Sequence, residues 1–224
     1  MKPLVIVRPE PGASATANAA RDMGLQPIVL PLFEVLPIDW EPPDPRGFDA
    51  LLLTSANAVR AGGPGLDRLR SLPAHCVGEA TAKAARNAGF TVATTGGAGV
   101  DSVLDFLPAG SRLLHLCGFD RREPSKARSA IEAVPVYRAE EIAIPNGFEE
   151  IEDSVVALHS PRAARRVGEL VDRRGLARSR ISIAAVSSET AEAAGDGWQE
   201  VVAAEEPSAA ALLAIAAELC KNAR

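Results

Sequence analysis

Turns that carry hydroxyl groups open helices at four places in this 224-residue chain. They read Thr54-Ser55-Ala56-Asn57, Gly78-Glu79-Ala80-Thr81, Ser160-Pro161-Arg162 and Ser187-Ser188-Glu189-Thr190. A helix start presents free backbone N–H groups and the positive end of the helix dipole, and Ser or Thr adds a donor without fixed charge. Such a surface suits carboxylates or phosphates. Any one of these hydroxyls would also serve as a plain helix cap, so it is the set that points to a ligand. Arg8, Arg60, Arg162, Arg165 and Arg166, with the cluster Arg121, Arg122 and Lys126, lie where they could add positive charge. No serine–histidine–aspartate arrangement, paired acid/base carboxylates or cysteine–histidine pair can be assembled from the spacing. An enzyme built this way would work mainly by holding the shape of its substrate.

The turns recur because the chain repeats itself. Residues 50–60 and 76–85 match residues 155–165 and 185–194 as a short apolar run, a Ser/Thr turn and an Ala/Arg-rich helical stretch. Apolar runs alternating with helical stretches predict βαβ units and parallel sheets. Strands are expected over 4–7, 27–30, 50–53, 75–77, 91–93, 112–116, 155–158, 181–186 and 200–203. Helices are expected over 13–23, 56–61, 80–88, 100–106, 125–131, 162–173, 190–195 and 208–221. Ser55, Ser102, Ser160, Ser188 and Ser208 are the expected N-caps, and Gly24, Gly89 and Gly197 the stops. Two proline-punctuated extended segments, 33–38 and 134–142, interrupt this rhythm and read as crossings between domains. The expected division is a discontinuous domain of 1–35 and 143–224, an inserted domain of 46–132, and connectors at 36–45 and 133–142. In parallel α/β sheets ligands bind outside the carboxyl ends of the strands, so the turns of both halves should face one cleft.

Composition narrows the partners. A net charge of −5 argues against nonspecific nucleic-acid binding, although a cleft can be locally basic. No stretch approaches the ~20 apolar residues a membrane span needs. The opening Met1-Lys2-Pro3-Leu4-Val5-Ile6-Val7-Arg8 reads as a buried strand rather than an export signal. Cys76, Cys117 and Cys220 have no CxxC spacing and read as reduced thiols of a cytoplasmic protein. His75, His115 and His159 each abut an apolar run and read as structural, so no metal site is expected. Gly96-Gly97-Ala98-Gly99 lacks both GxGxxG spacing and a following Lys-Ser/Thr; it reads as a flexible entry to a helix, not a nucleotide loop.

With these motifs in order, the chain resembles uroporphyrinogen-III synthase. The similarity runs through Val7-Arg8-Pro9, Leu53-Thr54-Ser55-Ala56-Asn57-Ala58-Val59, Cys76-Val77-Gly78-Glu79-Ala80-Thr81-Ala82 and Val136-Tyr137. It continues in His159-Ser160-Pro161-Arg162-Ala163-Ala164, Ser188-Glu189-Thr190-Ala191 and Glu206-Pro207-Ser208. The resemblance implies two similar parallel-sheet α/β domains joined by a two-stranded antiparallel connector. It implies an enzyme that closes the linear tetrapyrrole hydroxymethylbilane to uroporphyrinogen III, inverting the last pyrrole ring and losing water, without a cofactor.

Tyr137 matches the family's connector tyrosine and would help the hydroxyl leave. Thr54, Ser55, Asn57, Gly78, Thr81, Ser160, Ser188, Thr190 and Ser208 would bind the substrate's eight carboxylates, with Arg8 adding charge. Ser187 stands where the family usually has glycine, so the backbone approach there is expected to differ. A monomer in transient exchange with the preceding deaminase is the expected state. The alternative is a non-enzymatic two-domain protein that closes on a polyanionic small molecule.

Overall fold

In a computed structural model, residues 1–97, 100–120 and 129–222 are described. The chain divides into two units, one of Met1–Glu34 with Glu141–Arg224 and one of Val35–Glu140. Along the chain the elements are β1 (Leu4–Ile6), α1 (Gly12–Asp22), β2 (Pro27–Val29), β3 (Phe33–Pro37), β4 (Ala50–Leu53), α2 (Ala56–Ala61), β5 (Ala74–Val77), α3 (Glu79–Asn87) and β6 (Val92–Gly96). They continue with α4 (Asp101–Leu104), β7 (Arg112–Gly118), β8 (Ala130–Glu141), β9 (Val155–Leu158), α5 (Pro161–Arg173), β10 (Ser182–Ala185), α6 (Ser188–Ala194), β11 (Glu200–Ala203) and α7 (Ala209–Lys221).

The first unit is a five-stranded sheet in the order β11-β10-β9-β1-β2, parallel throughout. Its strands β1 and β9 are apolar at every position because helices cover both faces. Val156 and Leu158 pack with Val167 and Leu170 of α5, while Val155 and Ala157 point the other way onto Ala13 and Ala17 of α1 and Leu212 and Ala216 of α7. Ser160 caps α5 by accepting from the Ala163 N–H at 3.2 Å, and Pro161 follows at the first helical position, where its missing N–H costs nothing.

Arg178 stitches the far end of this unit. Its guanidinium lies 4.7 Å from the centre of the Trp198 ring, pairs with Asp172 at 2.7 Å and donates to the Asp196 carbonyl at 2.9 Å. A lysine reaches neither the planar stack nor the forked pairing. Arg178→Lys is expected to destabilise this unit by about 1 kcal/mol, read from urea denaturation followed by Trp198 fluorescence in a Trp40→Phe background.

The second unit is a six-stranded sheet in the order β3-β8-β7-β4-β5-β6. Strands β4 to β8 are parallel. The Ile38 N–H bonds the Val136 carbonyl and the Ile142 N–H bonds the Leu32 carbonyl. One number rises as the other falls, so β3 runs antiparallel to β8. Strand for strand, β6-β5-β4-β7-β8 repeats the arrangement β11-β10-β9-β1-β2. The repeat seen in the sequence is therefore a repeat of topology, with the strands visited in permuted order.

Several expectations need correction. The helix expected over 125–131 falls mostly outside the described residues, and Ala130 and Ile131 are strand, paired with Arg112 and Leu113. Ala130-Ile131-Glu132-Ala133, just ahead of the extended segment expected from 134, suits a helix as readily as a strand. The N-cap of α6 is Ser187, not Ser188; its hydroxyl accepts from the Thr190 N–H at 3.3 Å. Ser102 lies inside α4, whose N-cap position is Val100. Gly195, at φ 73°, caps α6 before Gly197 is reached. Residues Ala98 and Gly99 of the glycine-rich stretch, and Arg121, Arg122 and Lys126, lie outside the described residues.

Candidate active site

Each sheet changes direction of winding at one place. In the second unit β4 is followed on one side by β5 and β6, while β7 and β8 lie on the other, so the crevice opens between the ends of β4 and β7. Thr54 and Ser55 follow β4 there, and Cys117 and Gly118 end β7. The Thr54 Oγ1 lies 2.9 Å from Nε2 of His115, a buried residue of β7. Ser55, in extended conformation, caps α2 by accepting from the Asn57 N–H at 3.2 Å. Asn57 in turn accepts from Arg60 Nη1 at 3.3 Å.

Tyr137 reaches this crevice from β8. The register of β7 and β8 shifts between Cys117 and Gly118, so that Cys117 faces Pro135 while Gly118 faces Tyr137. Val136 is the extra residue of a bulge, and it resets the alternation of side chains. Both Val136 and Tyr137 consequently pack on the cluster formed by Leu51, Leu53, Leu114 and Leu116. The phenol lies so close to Gly118 that a Cβ there would stand 2.8 Å from its Cζ and 3.0 Å from its oxygen. The Phe119 N–H holds the Tyr137 carbonyl at 2.8 Å. Burial pushes the phenol above its ordinary range, and a hydrogen bond with Ser55 offsets this in part. At neutral pH it is a protonated donor. Gly118→Ala is expected to lower kcat about tenfold by displacing the phenol, checked with substrate-saturated rates; an unchanged rate would show that the ring position does not matter.

The first unit has its change of winding between β1 and β9, where Arg8 and His159-Ser160 follow the strands. Arg8 lies over Gly12, where a Cβ would approach its Nε to 2.6 Å, and its Nη1 is 3.4 Å from Thr16 Oγ1. Both ring nitrogens of His159 are buried and lack a hydrogen-bond partner among the described residues. Burial, reinforced by the Arg8 charge, holds this histidine down to about 3, although the Ala157 carbonyl pulls slightly the other way.

The remaining expected residues fall at the carboxyl edges of the two sheets. Gly78 precedes α3 at φ 79°, a conformation that needs glycine, and Thr81 is buried behind it. Ser187, in the matching place, has φ −160° and needs no glycine; its hydroxyl stands 3.1 Å from that of the fully buried Thr190. Ser188 is exposed, and Ser208 caps α7 through the Ala211 N–H at 3.1 Å. Among the arginines, Arg166 is committed to Glu141 at 3.0 Å, and Arg162 lies 4.8 Å over the Phe33 ring. Sequence reasoning missed His115 as the partner of Thr54 and Gly118 as the seat of the phenol. A glycine ending a long apolar strand was the available signal for the second.

A family model described as "Uroporphyrinogen-III synthase HemD" matches residues 14–214. The crystal structure of uroporphyrinogen-III synthetase from Helicobacter pylori 26695 is similar at a TM-score of 0.63 and 20% identity, covering 98% of this chain and 100% of that one. A mutant uroporphyrinogen III synthase from the extremely thermophilic bacterium Thermus thermophilus is similar at a TM-score of 0.52 and 18% identity, covering 98% and 100%. At such identities both structures speak for the fold alone. No curated protein sequence matches.

Proposed function

The chain belongs to the uroporphyrinogen-III synthase family, and we propose that it closes hydroxymethylbilane to uroporphyrinogen III with Tyr137 at the reacting end of the substrate. The observation that carries this reading is the half-buried phenol, seated on Gly118 and beside Ser55 at the change of winding of the six-stranded sheet.

Tyr137 donates to the terminal hydroxyl as its carbon–oxygen bond breaks with the electron pair on oxygen, and the leaving group departs as water. The pyrrole nitrogen supplies electrons to the carbon left behind, giving a cationic azafulvene. The substituted carbon of the closing ring attacks it to form a spiro intermediate, and the bond from that carbon to its old methylene bridge breaks. The ring's unsubstituted α-carbon captures the freed methylene, and the proton this carbon loses on rearomatisation returns to the phenolate. Holding the two ends of the chain for this attack, against the direct closure to the type I isomer, supplies several kcal/mol of selectivity.

Arg8, Ser160, Ser188 and Ser208 of one unit, and Thr54, Asn57 and the Gly78 backbone of the other, bind substrate carboxylates. Thr81 and Thr190, being buried, hold their turns in shape. Among the described residues no helix is long and apolar enough to cross a membrane. We place the reaction in the cytoplasm, on a monomer that receives its unstable substrate from the preceding deaminase without a lasting complex.

The test generates hydroxymethylbilane from porphobilinogen with the deaminase and separates the oxidised uroporphyrin isomers. Type III product is expected with this protein present; unchanged type I from folded protein overturns the proposal. Because carboxylate binding is screened by salt, KM is expected to rise several-fold between about 50 mM and 0.5 M salt while kcat holds. A flat KM would argue against an ionic substrate contact.

A further inference from the structure

Strand β7 buries a histidine among leucines. His115 lies between Leu114 and Leu116 and is 3% exposed, at a position where another leucine would pack with no polar group to satisfy. Its Nε2 meets Thr54 Oγ1 at 2.9 Å. The register accounts for the meeting. Leu52 of β4 stands opposite His115, and Leu53 opposite Leu116. Leu51, Leu53, Leu114 and Leu116 share one cluster, so Leu52, Thr54 and His115 belong to the other face of the sheet. Thr54 follows the last residue of β4 and is only half-buried, so the buried ring grips a residue at the edge of the crevice.

A threonine hydroxyl has one proton and two lone pairs. If its proton goes to a bare Nε2, the oxygen has only lone pairs left for a ligand, and a carboxylate is repelled. If Nε2 carries the imidazole proton, the hydroxyl accepts from the ring and keeps its own proton to give. We propose that His115 is a positioning residue that donates from Nε2 to Thr54 Oγ1, so that the Thr54 hydroxyl presents its proton to a carboxylate of the substrate. Accepting from the ring also makes the hydroxyl a better donor. The inference rests on the carboxylate contact given to Thr54 above, but the place of the ring proton can be read without substrate.

The chain has three histidines, and long-range proton–nitrogen NMR spectra distinguish a ring protonated at Nε2 from one protonated at Nδ1. His115→Gln identifies the signals of His115 by their loss. A proton on Nε2 of His115 is expected, and a proton on Nδ1 alone overturns the proposal. This reading is made on the wild-type protein, so it decides even if a substitution in the core of β7 prevents folding.

In the isomer assay His115→Phe, which fills the space without a donor, should raise KM about fivefold and leave kcat in place, the worth of one neutral hydrogen bond. His115→Gln, whose amide donates from nearly the same place as Nε2, should restore most of that affinity. Thr54→Val should raise KM at least as far, and adding His115→Phe to it should cost nothing further. A second fivefold rise on top of Thr54→Val, or a fall in kcat with KM unchanged, would show that the ring acts by packing and overturns the proposal. If the wild-type protein makes no type III product, the function proposed above fails, while the spectra still decide which group donates.

Discussion

Tyr137→Phe is expected to lower kcat about a hundredfold and to leave type III as the main product. General acid assistance to a leaving group is worth roughly 10²–10⁴-fold, and a phenol that stays protonated at neutral pH supplies the lower part of that range. Burial keeps it in that state, because the charged phenolate is the form that desolvation disfavours. The wild-type rate should accordingly be flat through neutral pH and fall only at alkaline pH, when the phenol ionises. Isomer choice should survive, because it depends on how the two ends of the substrate are held rather than on how the hydroxyl departs. Single-turnover rates and isomer ratios measured on the same samples separate the two. An unchanged rate would remove Tyr137 from the chemistry, while a shift to type I would give it a role in shape instead.

The sequence was most legible where a single constraint acts. Ala50–Leu53 and Val155–Leu158 are continuous apolar runs because both of their faces are buried, and a hydroxyl after each marks the cap that follows. The repeated pattern pointed correctly to two similar sheets. It could not give the permuted order in which the strands are visited, because that order is set by where the chain leaves one unit for the other. β8 was half hidden for a different reason. Its proline and charges are tolerated because every residue of the strand except Val136 is half-buried or exposed. The bulge at Val136 leaves no mark of its own in the residues, and without it the side-chain alternation puts Tyr137 on the wrong face. Long-range pairs such as Thr54 with His115 depend on register between strands about sixty residues apart, which local pattern does not encode.

Register also shows how the two halves have diverged. Leu113 pairs with Ala50 and Leu4 with Val155, so Cys117 in one sheet stands where Arg8 stands in the other, and Thr54 where His159 stands. One crevice edge is neutral and carries the phenol. The other carries a guanidinium with a neutral histidine beside it. On the proposed function, the first of these edges would serve the leaving group and the second the carboxylates of the substrate.

Acid should destabilise the first unit well above the pH at which carboxylates protonate, and His159→Phe should remove most of that effect. The folded-state value of His159 is held at about 3, against ~6.5 for a free histidine. Between those limits the unfolded chain binds a proton that the folded chain refuses, so stability is complete above ~6.5 and is lost as pH falls toward 3. At about 1.36 kcal/mol per pH unit the full interval amounts to roughly 5 kcal/mol, of which a little over half should be gone at pH 4.5. His75, lowered by burial alone, acts in the same direction in the second unit. The exposed carboxylates Asp44, Asp49, Asp153 and Asp172, held below their usual values by arginines, weaken the fold only below about pH 4, so the two contributions occupy different windows. Urea denaturation followed by Trp198 in a Trp40→Phe background reads the first unit by itself. The phenylalanine variant also replaces two unpartnered ring nitrogens with carbon, so at pH 7 it should be no less stable than the parent. A parent whose stability is level from pH 7 to 4.5 would show that His159 gains a proton in the folded state, with Arg8 moved away to admit it.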